Sequence, residues 1–209
     1  MKIARYLKKH YSQPKSELSH ETPFQFLLAV MFSAQATDKK VNEVTEELFK
    51  VYRTACDFAK LSPEKLTEKI QQLSFYRNKA KHAIQTAKII CDKYNNHIPP
   101  SLEKLIQLPG VGRKTAKVVL GEVFNQWIGI AVDTHVRRFA LKFGLTNHTH
   151  PDKIAEDLEL LIPKRYWKYI NNGLVLYGRY ICPARKHDCT THPLTQLCPH
   201  GAEVWPKSK

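Results

Sequence analysis

Acidic residues are scarce in this 209-residue chain: 19 Asp and Glu stand against 33 Lys and Arg, for a formal net charge of +14. Long apolar runs are also missing. The longest stretch without Asp, Glu, Lys or Arg around the apolar core, Thr22 to Thr37, contains Gln25, Ser33 and Gln35. It falls short of the roughly 20 apolar residues a spanning helix requires, so no membrane span is expected. Nor does an apolar segment follow the basic start, since Lys2, Arg5, Lys8 and Lys9 lead into Tyr11-Ser12-Gln13-Pro14. This argues against a secretory leader. Five cysteines cannot all pair, which excludes a complete disulfide framework and makes a reducing, intracellular, cytoplasmic setting the expectation. Internal repeats and low-complexity tracts are absent.

The 43% hydrophobic content is that of a globular protein. Its excess positive charge suits either a solubilising surface or a polyanionic partner. Basic residues gather at Arg77/Lys79/Lys81, Arg113/Lys114/Lys117, Arg137/Arg138, Lys164/Arg165/Lys168 and Arg179/Arg185/Lys186, with aromatic residues among several groups. A polyanion running past several loops accounts for this spread, whereas a membrane surface calls for one basic amphipathic helix.

The periodicity predicts an all-α fold. A buried helix is expected from Pro23 to Gln35, and an amphipathic one carries Val41, Val44, Leu48 and Val51 after a Thr37 or Asp38 cap. Ser62-Pro63 opens another helix. Lys79 to Tyr94 aligns Ala80, Ile84, Ala87, Ile90 and Cys91 on one face, and Cys56 and Cys91 read as small core residues. Further helices are predicted over Leu102–Gln107, Arg113–Phe124, from Thr134 to near Gly144, over Asp152–Leu161 and over Lys164–Tyr177. Ile128 to Val132 could form a short strand.

Two short helices flank Leu108-Pro109-Gly110-Val111-Gly112-Arg113-Lys114. Glycines permit positive φ and close backbone approach. The N–H groups at the start of the second helix, with the helix dipole, favour an anion such as a DNA phosphate. Leu105, Leu108, Val111 and Val118 supply an apolar face, while Arg113, Lys114 and Lys117 add charge, which makes a helix-hairpin-helix motif. Lys114 falls in the first helical turn, where a cation opposes the dipole, and a neutral lysine amine is a nucleophile able to form a Schiff base. Asp133 follows Ile130-Ala131-Val132 and can cap the next helix. The segment from Cys182 to Lys209 is irregular and holds three of the five cysteines; too short to bury much apolar surface, it invites a metal as staple.

Ser33-Ala34-Gln35-Ala36-Thr37-Asp38, Leu108–Ala116, Ala131-Val132-Asp133-Thr134-His135 and Gly178-Arg179-Tyr180 leading into Cys182 together give the chain a resemblance to endonuclease III. This family comprises bifunctional DNA glycosylases and abasic-site lyases. The resemblance implies two helical modules flanking a DNA-binding cleft: a six-helix barrel over 17–127, and a cluster domain of 1–16 with 128–209. It implies a monomer acting on double-stranded DNA that carries an oxidised pyrimidine or an abasic site, associated with the nucleoid if the cell is bacterial. By the same resemblance, Lys114 is the nucleophile and Asp133 the essential carboxylate. Gln35 would fill the gap left by an extruded base and Phe75 would act as an intercalating wedge, unless it is an ordinary loop-packing aromatic. Gly110, Gly112 and Arg113 would hold phosphate, as would Arg185 and Lys186 on the loop before Cys189.

The resemblance also implies a [4Fe–4S] cluster on a Cys-x6-Cys-x2-Cys-x5-Cys pattern. Here the ligand positions read Cys182, Cys189, His192 and Cys198, so the spacing is kept and one ligand type changes. A cluster with a histidine ligand, a Cys3His zinc site and a tail without metal all remain open, and His187 and His200 are further conceivable ligands. Two rival functions are also open: a monofunctional adenine glycosylase of the same fold, and a helix-hairpin-helix module without catalysis.

Overall fold

The computed structural model describes residues 1–185, 187–190 and 192–198. Among these residues there are eleven α-helices and no strand. The chain divides into two compact units, Glu17–Gln126 on its own, and Met1–Ser16 with Trp127–Lys209.

The first unit holds α2 (Pro23–Phe32), α3 (Asp38–Val51), α4 (Ala55–Ala59), α5 (Pro63–Ile70), α6 (Tyr76–Tyr94), α7 (Leu102–Leu105) and α8 (Arg113–Phe124). α2 is apolar nearly all round, and Phe24, Phe26, Leu27, Leu28, Ala29, Met31 and Phe32 are buried, as befits a central helix. Thr22 caps it, and the fully buried Gln25 is satisfied by the Glu21 N–H, the Thr22 N–H and the Phe49 carbonyl. The helix stops at Phe32, short of the expected Gln35, because Gln35 adopts a left-handed φ of 55°. α6 starts at Tyr76, earlier than expected, behind a second left-handed residue, Phe75 at φ 56°. Each such non-glycine residue costs about 1–3 kcal/mol and persists only where its surroundings hold it.

Cys56 and Cys91 are not the simple core residues the periodicity suggested. They form a disulfide between α4 and α6, with Cα atoms 5.0 Å apart. Helical spacing reports which side of α6 Cys91 occupies, but not which helix crosses there. In the chain-entropy model a link spanning 35 residues stabilises by about 3–4 kcal/mol.

The second unit holds α1 (Lys2–His10), α9 (Thr134–Lys142), α10 (Pro151–Leu161) and α11 (Leu174–Tyr180) around a core that includes Leu7, Val136, Phe139, Leu158, Ile170 and Tyr177. The single helix expected over Lys164–Tyr177 is instead a 3-10 turn at Lys164–Tyr166, a π-helical stretch at Tyr169–Gly173, and then α11. The possible strand at 128–132 is irregular chain. Its polar groups are taken by side chains: Glu159 accepts from the Ile130 N–H at 2.7 Å, and Asn171 accepts from the Ala131 N–H at 2.6 Å while donating to the Gly129 carbonyl at 3.1 Å. Those three groups are therefore not offered to a β-ladder. Among the described residues no helix is long and apolar enough to cross a membrane.

Candidate functional site

The hairpin turn joins α7 to α8. Leu105, Leu108, Val111, Ala116, Val119 and Leu120 are buried; Val118, expected on this face, is only half-buried and Val119 takes its place. The two glycines serve different ends. Gly110 has φ +78°, and an added β-carbon there would meet the His82 side chain at 2.9 Å. Gly112 has ordinary extended backbone, and a β-carbon on it would find nothing within 4 Å. Packing within the chain therefore does not demand a glycine at 112, and the space beside it is open to an incoming group. Gly112 is also the N-cap of α8 and offers no side-chain cap, so the first N–H groups of α8 keep their capacity for an anion. Arg113 and Lys114, the first two residues of α8, are both exposed.

In the same unit, Phe75 is 61% exposed and is not packed into its loop. Gln35 is exposed as well. The left-handed backbone at both positions turns the chain sharply just where these side chains project.

Asp133 lies in the other unit, as the N-cap of α9. Its Oδ1 accepts from the Val136 N–H at 2.8 Å, and among the described residues that is its one hydrogen bond to a backbone N–H. Asn171 and Glu159 fix the chain just before it, and sequence reasoning missed both. Asn171 lies in the π-helical stretch that the periodicity reads as plain helix, and its partners before Asp133 lie about forty residues away, so no local signal points to it. His135, two residues on, is held below its ordinary pKa chiefly by burial, against the pull of the Asp133 charge.

Cys182, Cys189, His192 and Cys198 line one small pocket, together with Lys142, Phe143, Tyr177 and Thr195. The spacing inherited from the sequence thus closes on a single site, and its soft thiols and imidazole suit a metal. Lys142 is buried, and its Nζ donates to Cys182 Sγ at 3.0 Å and to Cys189 Sγ at 3.5 Å, supplying positive charge beside two sulfurs. Burial raises the Cys182 pKa, partly offset by that lysine. Burial, then the charges of His187 and Lys142, push the His192 pKa below its ordinary value. His187 also joins the group: donor atoms of Cys182, His187 and His192 lie within 4.8 Å of one another. Its Nδ1 donates to the Arg185 carbonyl at 2.6 Å. That bond makes Nε2 the acceptor of the ring, and it takes a hydrogen bond from the Cys189 thiol at 3.3 Å. Arg185 is exposed; Lys186 and His200 lie outside the described residues.

Residues 28–164 match the family model of the HhH-GPD superfamily of base excision DNA repair proteins. The chain is 40% identical to endonuclease III of Synechocystis sp., over 94% of this chain and 90% of that one. It is 35% identical to endonuclease III of Escherichia coli, over 98% and 96%. It superposes with a TM-score of 0.87 and 38% identity on an endonuclease III trapped as a covalent intermediate with DNA, covering 95% of this chain and 93% of that one. The chain belongs to the endonuclease III family, the bifunctional DNA glycosylases and abasic-site lyases.

Proposed function

We propose that this glycosylase removes oxidised pyrimidines from double-stranded DNA inside the cell, as a monomer, and opens the strand at the resulting abasic site through Lys114. The observation that carries the reading is the exposed amine of Lys114 in the first turn of α8, beside the open N–H groups at Gly112. A relative caught in covalent linkage with DNA supports it. The phosphate held at the hairpin would place the sugar beside the amine. Lys114 Nζ bonds to C1′ as the bond from C1′ to the base breaks, and the base leaves with the electron pair and takes up a proton. Ring opening gives a Schiff base. C2′ then loses a proton, and the C3′–O bond breaks with the phosphate as leaving group. Asp133 offsets the positive charge that develops on the sugar and exchanges protons with it.

Gly110, Gly112 and Arg113 hold phosphate in this reading, as does Arg185 from the loop before Cys189. Gln35 fills the gap left by the everted nucleotide and Phe75 wedges into the stack. Extrusion is required because C1′ cannot be reached within the stacked duplex, and it costs a few kcal/mol. Cys182, Cys189, Cys198 and His192 would hold a [4Fe–4S] cluster. When bound, it would anchor the loop that carries Arg185, with no part in base release.

Borohydride trapping on DNA with an abasic site tests the reading. The wild-type chain should form a covalent adduct and Lys114→Ala should form none. A wild-type protein that binds DNA and never traps would sink the lyase assignment; it would then be a binding module, or a monofunctional enzyme if it still releases bases.

A further inference from the structure

Lys79 is a buried lysine that neither the hairpin nor the metal pocket uses. It is 8% exposed. Its Nζ donates to the Phe32 carbonyl at 2.8 Å and to the Ala34 carbonyl at 2.7 Å. Its own backbone N–H donates to the Phe75 carbonyl at 3.0 Å. Burial lowers its pKa, and among the described residues no carboxylate is hydrogen-bonded to it. Two carbonyls at the C-terminal end of α2 take the place of a counter-ion there, where the helix dipole favours a cation.

The position of this contact is informative. Ala34 immediately precedes Gln35, and Phe75 is the N-cap of the helix on which Lys79 sits one turn later. One residue is therefore bonded to two of the short segments that carry a left-handed, exposed, non-glycine side chain, those of Gln35 and Phe75. Ordinary stability does not require an ammonium here. An apolar side chain would fill a buried site on α6 without the desolvation cost of a charge, but it would leave the two carbonyls without a donor and the 33–37 turn untied from α6.

We propose that Lys79 is a positioning residue that fixes the distance and orientation between Gln35 and Phe75, so that gap filling and wedging occur together when a nucleotide is everted. The proposal rests on the reading of those two side chains given above. It singles out one kind of substrate. A duplex must be opened and its gap filled, whereas an abasic site in a single strand needs neither, so loss of Lys79 should penalise duplex over single-stranded DNA.

The test compares single-turnover borohydride trapping on an abasic site in a duplex and in a single strand. Lys79→Met keeps the length and loses the donors; its duplex-to-single-strand rate ratio should fall at least tenfold. Gln35→Ala and Phe75→Ala should lower the ratio as well, and Lys79→Met combined with Gln35→Ala should cost less than the product of the two separate effects. If Gln35→Ala and Phe75→Ala lower the ratio while Lys79→Met leaves it at the wild-type value, the positioning role is wrong and the reading of Gln35 and Phe75 stands. If neither alanine variant lowers it, that reading fails and takes the positioning role with it. Should Lys79→Met not fold, Lys79→Gln, too short to span both carbonyls, must lower the ratio in its place; an unchanged ratio there overturns the proposal.

Discussion

The side chain of His82 packs against Gly110 so closely that a β-carbon on the glycine would sit 2.9 Å from the His82 Cβ. With φ at +78°, Gly110 is constrained twice over. Gly110→Ala should cost about 1–3 kcal/mol from backbone strain and crowding, read as a lower urea midpoint. Gly112 has neither constraint, and Gly112→Ser supplies a good N-cap, so stability should hold or rise. DNA affinity should nonetheless drop, because the hydroxyl fills the open space and takes up an N–H meant for phosphate. Unweakened binding by Gly112→Ser would make that space incidental.

Asp133 is a cap and, in the proposed function, the carboxylate that acts on the sugar, and substitution can separate the two. Asn is as good a cap as Asp, so Asp133→Asn should melt close to wild type, whereas Asp133→Ala should lose about 1 kcal/mol. Both should lose base release, by roughly 10²–10⁴-fold for the missing carboxylate. Thermal melts alongside single-turnover base release give the comparison. Full activity in Asp133→Asn would reduce the residue to its capping role.

Metal analysis of the purified protein is decisive for the Cys/His pocket. Iron with inorganic sulfide and a brown colour are expected, and His192→Cys should keep or deepen the colour. One zinc per chain, with no iron, would assign the pocket to a single ion instead, and His187→Ala would then tell whether the second imidazole belongs to the set. His192→Ala should lower metal content under either chemistry.

The Cys56–Cys91 link should be found by peptide mapping without reductant. Under oxidising conditions Cys91→Ala should unfold more easily by about 3 kcal/mol, while in reductant the two proteins should converge. Equal stability in both conditions would mean that the bond contributes nothing to the folded state.

Much of this was legible in the letters because it depends on short-range chemistry. Thr37, Ser62 and Asp133 cap the helices that begin after them, and a cap is a local event. Gly110-Val111-Gly112 between apolar residues and cations was readable for the same reason. Interactions across long separations were not. Asn171 holds residues forty positions earlier, which turned a possible strand into tethered coil, and Cys91 meets a partner 35 residues away. The left-handed turns at Gln35 and Phe75 were hidden too, since neither residue type advertises positive φ. Lys79 looked like one more cation in a basic group and is instead a buried donor to α2.

The exposure of Phe75 bears on how such a molecule searches. On the wedge reading proposed above, a bulky ring already projecting from the helix start needs no loop to refold before it can probe a base pair. On the proposed reading, inspection of DNA has no conformational prelude on the protein side. The pace of interrogation is then set by how readily each base pair opens, and weakened pairs at lesions are the first to yield.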